Sequence, residues 1–219
     1  MNRLLFSKTG DAVYLSHLDL MRVFQRAFKR AGILIWHSQG FSPRAYVSIA
    51  LPLPVGMESR CEILDFEIED GSVELKSLPD RLNSVLPAGI RVLSAYESGR
   101  KSKALTKLRA EVTLEYDRGV PDGAQKALSA LFSRESLVIV KRSKKGDKEV
   151  DIKPLLFSLS IAAVSEKELR IETVLSAQNP GLNPQLLITA IETYLPAYLP
   201  DFAKAGRLEA LDDEENPFR

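Results

Sequence analysis

Over the first hundred residues the spacing of apolar positions changes from alternation to helical recurrence and back, twice. Arg3 to Ser7 reads as a short strand that ends in a turn at Lys8-Thr-Gly-Asp11. Ser16-His-Leu-Asp19 has the form of a capping box, in which a serine and an acidic side chain three residues on each satisfy a free backbone donor. The helix it opens is expected to run to about Ala31, with Gly32 as its C-terminal cap. Leu20, Phe24, Ala27, Phe28 and Ala31 recur at helical spacing as a core face, and Arg22, Arg26, Lys29 and Arg30 take the other side. Tyr46 to Ala50 is strand-like. In Cys61 to Ile68, Leu64, Phe66 and Ile68 point one way while Asp65, Glu67 and Glu69 point the other. Ser77-Leu-Pro-Asp80 opens a second helix, with proline in the first turn where its missing N–H costs nothing. Leu82, Val85 and Leu86 line it, and Pro87-Ala-Gly89 stops it before a strand at Ile90 to Ala95. The order β-α-β-β-α-β is that of the split βαβ unit of ferredoxin-like domains.

A charged linker, Glu97 to Lys103, follows, and the pattern restarts. Ala110, Val112, Leu114 and Tyr116 alternate with polar residues, Ala124 to Phe132 is helical, and Leu137 to Arg142 is a strand running into a lysine-rich turn. Leu155, Phe157, Leu159 and Ile161 alternate in one further strand, and Leu169, Ile171 and Thr173 in another. Asn183-Pro184 starts a last helix over Gln185 to Leu195. The expected fold is α+β with two ferredoxin-like (split βαβ) lobes, each an antiparallel sheet with helices on one face. The lobes span residues 1–97 and 105–200, the second with extra hairpin content, and residues 201–219 are expected to form an acidic C-terminal tail around Asp212-Asp-Glu-Glu215.

Composition narrows the function. The chain has 219 residues, 45% apolar and 27% charged, with a net charge of +1, the profile of a soluble globular protein. A single cysteine, Cys61, excludes a disulfide framework and any self-contained cysteine zinc site or iron–sulfur cluster. No apolar run approaches the roughly 20 residues of a membrane span, and the N-terminus lacks a signal-peptide pattern, so a cytoplasmic protein without membrane association is expected. Charge is uneven. Residues 1–60 are basic, residues 62–80 acidic, and basic clusters return at Arg100, Lys101, Lys103, Lys107 and Arg109 and at Lys141, Arg142, Lys144, Lys145 and Lys148. Such clusters either attract polyanions or serve as solvated loops.

Catalytic chemistry has little to work with. The two histidines, His17 and His37, belong to no HExxH, and neither GxxxxGK[ST] nor GxSxG occurs. Cys61, within a strand, reads as a buried inert thiol. His17, in the first helical turn, reads as a capping-region residue; together with His37 it could form the acid–base pair of a metal-independent ribonuclease. No metal site or cofactor is expected. Binding chemistry is richer in His37-Ser-Gln-Gly-Phe-Ser-Pro-Arg44. Gly40 permits close backbone approach, Phe41 offers a stacking plane, Arg44 a donor fork for phosphate, and Gln39 with Ser38 and Ser42 adaptable donors. With Arg22, Arg26 and Arg30 these residues would make a concave recognition surface edged by a histidine. The opposing reading makes the same stretch a turn with Phe41 as a core plug. Leu51-Pro-Leu-Pro-Val-Gly56 reads as a rigid connector.

Ser16-His-Leu-Asp-Leu20, Arg22 to Gly32, Ser38-Gln-Gly-Phe-Ser-Pro43 and Pro52 to Ser59 resemble the radical-SAM-linked protein family, a bacterial domain of unknown function. Leu82 to Leu93 fits that family's usual ending of the first lobe. The resemblance covers most of residues 1–97 and is looser beyond, resting there on Val150-Asp-Ile-Lys-Pro154 and the Asn183-Pro184 helix start. The family continues after the glycine loop as Asn-Pro-His or Asn-Pro-Arg with a second proline; here Ser42-Pro43-Arg44-Ala45 stands instead, without that histidine. Members occur fused or adjacent to cobalamin-binding radical-SAM proteins, often near genes of ribosome and RNA processing. The resemblance therefore implies a free-standing, non-catalytic accessory protein that binds RNA for a radical-SAM enzyme acting in trans. The alternatives are a protein-docking module without nucleic-acid binding, or a metal-independent endoribonuclease using His17 and His37.

Overall fold

A computed structural model describes residues 1–69, 73–141 and 146–219; Asp70 and the Arg142, Lys144 and Lys145 members of the basic turn lie outside them. Contacts divide the chain into residues 1–104 with Phe218 and Arg219, and residues 105–217. The first unit runs β1 (Asn2–Lys8), α1 (His17–Arg30), β2 (Val47–Ile49), β3 (Glu58–Phe66), α2 (Leu78–Asn83) and β4 (Ile90–Glu97). Its strands lie in the order β4-β1-β3-β2, every neighbouring pair antiparallel.

The capping box forms as its residues require. Ser16 Oγ accepts from the Asp19 backbone N–H at 3.2 Å and donates to the Asp19 carboxylate at 2.7 Å. That hydrogen bond from Ser16, followed by the nearby Arg22, holds the Asp19 carboxyl below its ordinary range. At the other end Gly32, at φ +65, takes the left-handed position that ends the helix. Leu20, Phe24, Ala27 and Phe28 are buried against β1 and β3, with Phe6 edge-on to Phe24 and Phe28 tilted on Phe66, ring centroids 4.7 and 4.8 Å apart.

Asp65 lies on the opposite face of β3 from Leu64 and Phe66, as the alternation has it, and is buried there too. The Arg3 guanidinium, itself fully buried, donates to both of its oxygens at 2.6 and 3.1 Å, and also to Ser98 Oγ and the Arg100 carbonyl. Phe218 lies against Arg3 and Arg100 at 5.0 and 4.8 Å and is completely buried. The face opposite the helices is thus covered by segments far away in sequence, which no local alternation reveals.

The second unit runs β5 (Lys107–Glu115), α3 (Ala124–Phe132), β6 (Val138–Lys141), β7 (Lys148–Asp151), β8 (Leu156–Ser165), β9 (Glu168–Ser176), α4 (Gln185–Tyr194) and β10 (Phe202–Leu211). Its sheet has the order β10-β5-β9-β8, again antiparallel throughout, and β6 and β7 form a separate hairpin. With that hairpin set aside, both sheets place their fourth, first, third and second strands side by side. The molecule is a mixed α+β protein with four α-helices among the described residues. The expected acidic tail is corrected. Residues 202–211 are β10, paired along β5, and only Asp212 to Asn216 form an acidic turn, held by Lys107 on Glu215 at 3.1 Å. Among the described residues no helix is long and apolar enough to cross a membrane.

Asp151 closes the base of the β6–β7 hairpin by accepting from the Leu137 and Lys153 N–H groups, bonds that hold its carboxyl below the ordinary range. Tyr116 is displaced the other way. Burial first, and the charge of Asp201 second, push its phenol up to about 12 while its hydroxyl donates to the Tyr198 carbonyl. The folded phenol therefore keeps its proton where the unfolded one, near pH ~10, loses it. Its stabilising contribution is complete below pH ~10 and disappears as pH climbs toward 12. Alkaline absorbance titration should give one tyrosinate step near pH 12 that is missing in Tyr116→Phe.

Candidate nucleic-acid interface

After Gly32 the chain turns Ile33 and Ile35 into the core and then leaves the sheet as an irregular hairpin. Bridges join Ile35 to Ile68 and His37 to Ala45. Trp36 N–H donates to the Glu67 carbonyl, Tyr46 N–H to the Trp36 carbonyl and Ser38 N–H to the Arg44 carbonyl, at 2.8, 2.8 and 2.9 Å. Ser38 Oγ accepts from Arg44 N–H at 3.1 Å, and the Trp36 and Tyr46 rings meet edge to face at 5.7 Å. Gln25 of α1 donates to the Ala45 carbonyl at 2.8 Å, which ties the hairpin to the helix. Beyond this anchored base the tip, residues 39–43, projects into solvent, with Gly40 at φ +134 making the turn.

The tip settles one alternative. Phe41 is fully exposed, so it is no core plug. Gln39 to Arg44 are all exposed, and none of them lines the cleft beside α1. The hollow lies at the hairpin's base, a cleft of about 350 Å³ walled by Phe28, Ile33, Leu34 and Ile35, with Gln25, Lys29 and His37 at its polar margin. Leu34 stands out from the surface beside it. A Trp36/Tyr46 pair bracketing a polar tip could have signalled such a hairpin; pattern reading put Lys29 on the basic helix face without joining it to the loop, and it did not assign Leu34.

The basic helix face divides. At 100° per residue, Arg22, Arg26 and Lys29 point opposite to Leu20, Phe24, Ala27 and Phe28. Arg22 makes a solvent-exposed pair with Asp19 at 3.1 Å, a contact of small energetic weight. Arg26, Lys29 and Arg44 are exposed, and their side chains make no hydrogen bond or ion pair among the described residues. Arg30 is different: it donates to the Val85 carbonyl just past α2, while Arg81 of α2 donates to the Ala31 carbonyl at 2.9 Å. Arg30 therefore latches α1 to α2 and is removed from the free cations. Asp65 of β3 does not pair with these cations, since it is committed to Arg3.

His17 is the first residue of α1, whereas His37 lines the cleft with Gln25, Lys29 and Gly32. Eight or more residues at ~1.5 Å each put roughly 12 Å of helix between them. His17 thus stands about two helical turns along α1 from the nearest helix residue beside His37. Among the described residues no group of three or more His, Cys, Asp or Glu side chains is arranged to hold a metal ion.

An antiparallel α+β scaffold carrying an aromatic-tipped basic hairpin is the class these observations define. The sequence from residue 2 to 184 matches the family described as "Uncharacterized protein conserved in bacteria (DUF2344)", and the chain belongs to that family. A comparison with curated proteins finds no match. Among solved structures, a chain of a Cbf5–Nop10–Gar1 complex is similar with a TM-score of 0.53 and 8% identity, over 95% of this chain and 48% of that one. A chain of an H/ACA RNP bound to a substrate RNA containing 2′-deoxyuridine is similar with a TM-score of 0.50 and 7% identity, over 95% and 47%. The chain thus spans about half the length of these structures, and at such identity the likeness is one of fold. Neither the family description nor those of the two structures names a radical-SAM or cobalamin protein.

Proposed function

We propose that the protein binds RNA through the outward face of α1 and the hairpin of residues 36–46, and carries out no reaction on it. The observation that supports this most is the fully exposed Phe41 on a backbone-anchored tip, beside the uncommitted cations Arg26, Lys29 and Arg44. A projecting aromatic stacks on an unpaired base, and cations without carboxylate partners are available to phosphates. The 350 Å³ cleft at the hairpin's base suits one further splayed base, with apolar walls for its faces and Gln25, Lys29 and His37 for its edge. One of the structural neighbours is a chain of an H/ACA RNP bound to a substrate RNA, which is consistent with this reading. Both units are inferred to be ferredoxin-like lobes, the second with the β6–β7 hairpin inserted, because each sheet has the strand order such a lobe requires. The family resemblance adds the enzyme served, a radical-SAM protein acting in trans, and that addition rests on the resemblance alone.

Fluorescence titration of a single-stranded RNA across a salt series tests the proposal. Affinity should fall steeply with salt, and Arg26→Ala and Arg44→Ala should each weaken binding by about 1.5–3 kcal/mol, the scale of a hydrogen bond to a charged group. Each should also flatten the log–log salt slope by roughly 0.7, the value per phosphate contact on a single strand. Arg30→Ala should leave the slope unchanged, because that side chain is held by Val85. Salt-independent association, or none, would replace RNA by a protein surface as the ligand.

A further inference from the structure

The β6–β7 hairpin stands in the second unit where residues 36–46 stand in the first, between the unit's first helix and the second strand of its sheet. Its register runs without a shift: Val138 with Asp151, Ile139 with Val150, Val140 with Glu149 and Lys141 with Lys148. Two lysines are therefore direct cross-strand neighbours, with Cβ atoms roughly 5 Å apart, an arrangement that like charges make unfavourable. Both are exposed, and neither side chain makes a hydrogen bond or ion pair among the described residues. By alternation they share a face of the hairpin with Val150 and the buried Ile139. Both line a cleft of about 600 Å³ whose walls are largely apolar, formed by Val150, Pro154, Leu155, Leu182 and Leu186. Glu149 and Asp151 also border it, but alternation turns them to the hairpin's other face. Asp151 is moreover committed to Ser136 Oγ and to the Leu137 and Lys153 N–H groups. Asp147 borders a separate hollow beside Val140.

We infer that this cleft is a phosphate-monoester site, which takes the phosphate of a nucleotide between Lys141 and Lys148 and the nucleoside against the apolar walls. A phosphate monoester carries close to two negative charges at neutral pH, so one such group neutralises both lysines. A carboxylate or an internal phosphodiester brings a single charge and leaves half of the repulsion in place. Lysine ammoniums bind phosphate as point charges, and two of them flanking one group hold it without the planar fork that an arginine offers a carboxylate. The cleft is in the size range that holds a small-molecule ligand, and its aliphatic walls suit the faces of a base, which an inorganic anion would leave uncovered. The same chemistry comes from two sources, a free nucleoside monophosphate and the phosphorylated end of an RNA strand. No residue of α1 or of the 36–46 hairpin lines this cleft, so it is independent of the RNA face on the first unit.

Calorimetric titration of the full chain with adenosine 5′-monophosphate, and with adenosine as the uncharged counterpart, tests this. Adenosine should bind roughly tenfold more weakly or worse, because it leaves the lysines without an anion. Lys141→Ala should weaken binding of the monophosphate by about 10- to 100-fold. Lys148→Glu should abolish it while melting no earlier than the wild type, since Lys141 then faces an opposite charge across the hairpin. Arg44→Ala, on the first unit, should leave it unchanged. A single-stranded RNA carrying a 5′-phosphate is then compared with its 5′-hydroxyl form. A preference for the phosphorylated strand that disappears in Lys148→Glu assigns the site to a strand end; monophosphate binding without that preference assigns it to a free nucleotide. Three results overturn the inference: adenosine binding as tightly as the monophosphate, an affinity unchanged in Lys148→Glu, or neither monophosphate binding nor a preference for the phosphorylated strand.

Discussion

Asp65→Ala should destabilise the protein by about 3–5 kcal/mol, the cost of leaving a buried charge without its partner. Arg3 has no exposed surface and Asp65 only 6%, and the two N–H···O contacts of 2.6 and 3.1 Å are the guanidinium's only bonds to a charge among those described. Ser98 Oγ, the Arg100 carbonyl and the Phe218 ring would still surround the cation, but none of them neutralises it. The double substitution Arg3→Met with Asp65→Leu should recover most of the loss, because the pair's own desolvation then disappears as well. Urea unfolding of the three chains measures this. A loss under ~1 kcal/mol for the single variant would mean that water reaches Arg3 on the folded protein. RNA binding by the folded variant should be unaltered, since none of these groups lies on α1 or the hairpin.

The same cluster explains what could and could not be read from the sequence. α1 was legible because its information is local: a serine and an aspartate three apart, a 3.6-residue apolar period and a glycine just past the end. α3 was legible to the residue for a similar reason. The burial of Asp65 was not legible because its partner Arg3 is 62 residues away and is itself covered by Phe218 near the end of the chain. β10 was missed because its buried positions are mostly small, Ala205 and Gly206 among them, and charged residues are interspersed with them, Arg207 itself being buried. The strand's apolar alternation is faint, and the acidic turn that follows it dominates the composition. In the interface, helical periodicity located the cations. It could not tell Arg30 from Arg26, because the difference is a carbonyl at Val85, presented by the turn after α2. Likewise a phenylalanine in a glycine turn fits a plug or a plane equally well until the hairpin's backbone bonds show which way the tip is carried.

Phe41→Ala should weaken RNA binding by about 1–3 kcal/mol, the measured scale of one base–aromatic stack, which is roughly a 5- to 150-fold loss of affinity. Its effect on stability should stay within about 0.5 kcal/mol, because an exposed ring loses no packing when it is cut back. A buried phenylalanine would show the reverse, about 3–5 kcal/mol of stability with binding retained by whatever remains folded. The salt slope is the third coordinate. Stacking carries no counterion release, so Phe41→Ala should lower the affinity at every salt concentration by the same factor, while Arg44→Ala, three residues along the same hairpin, should change the slope. Phe41→Trp should restore or improve binding, since a larger π face at the same tip stacks at least as well. Parallel salt titrations of the four chains separate the contributions of ring and charge. If Phe41→Ala binds RNA as tightly as the wild type while Arg26→Ala and Arg44→Ala do not, the phosphate contacts stand and the tip does not take part in recognition. If all three bind normally, RNA is recognised elsewhere on the chain.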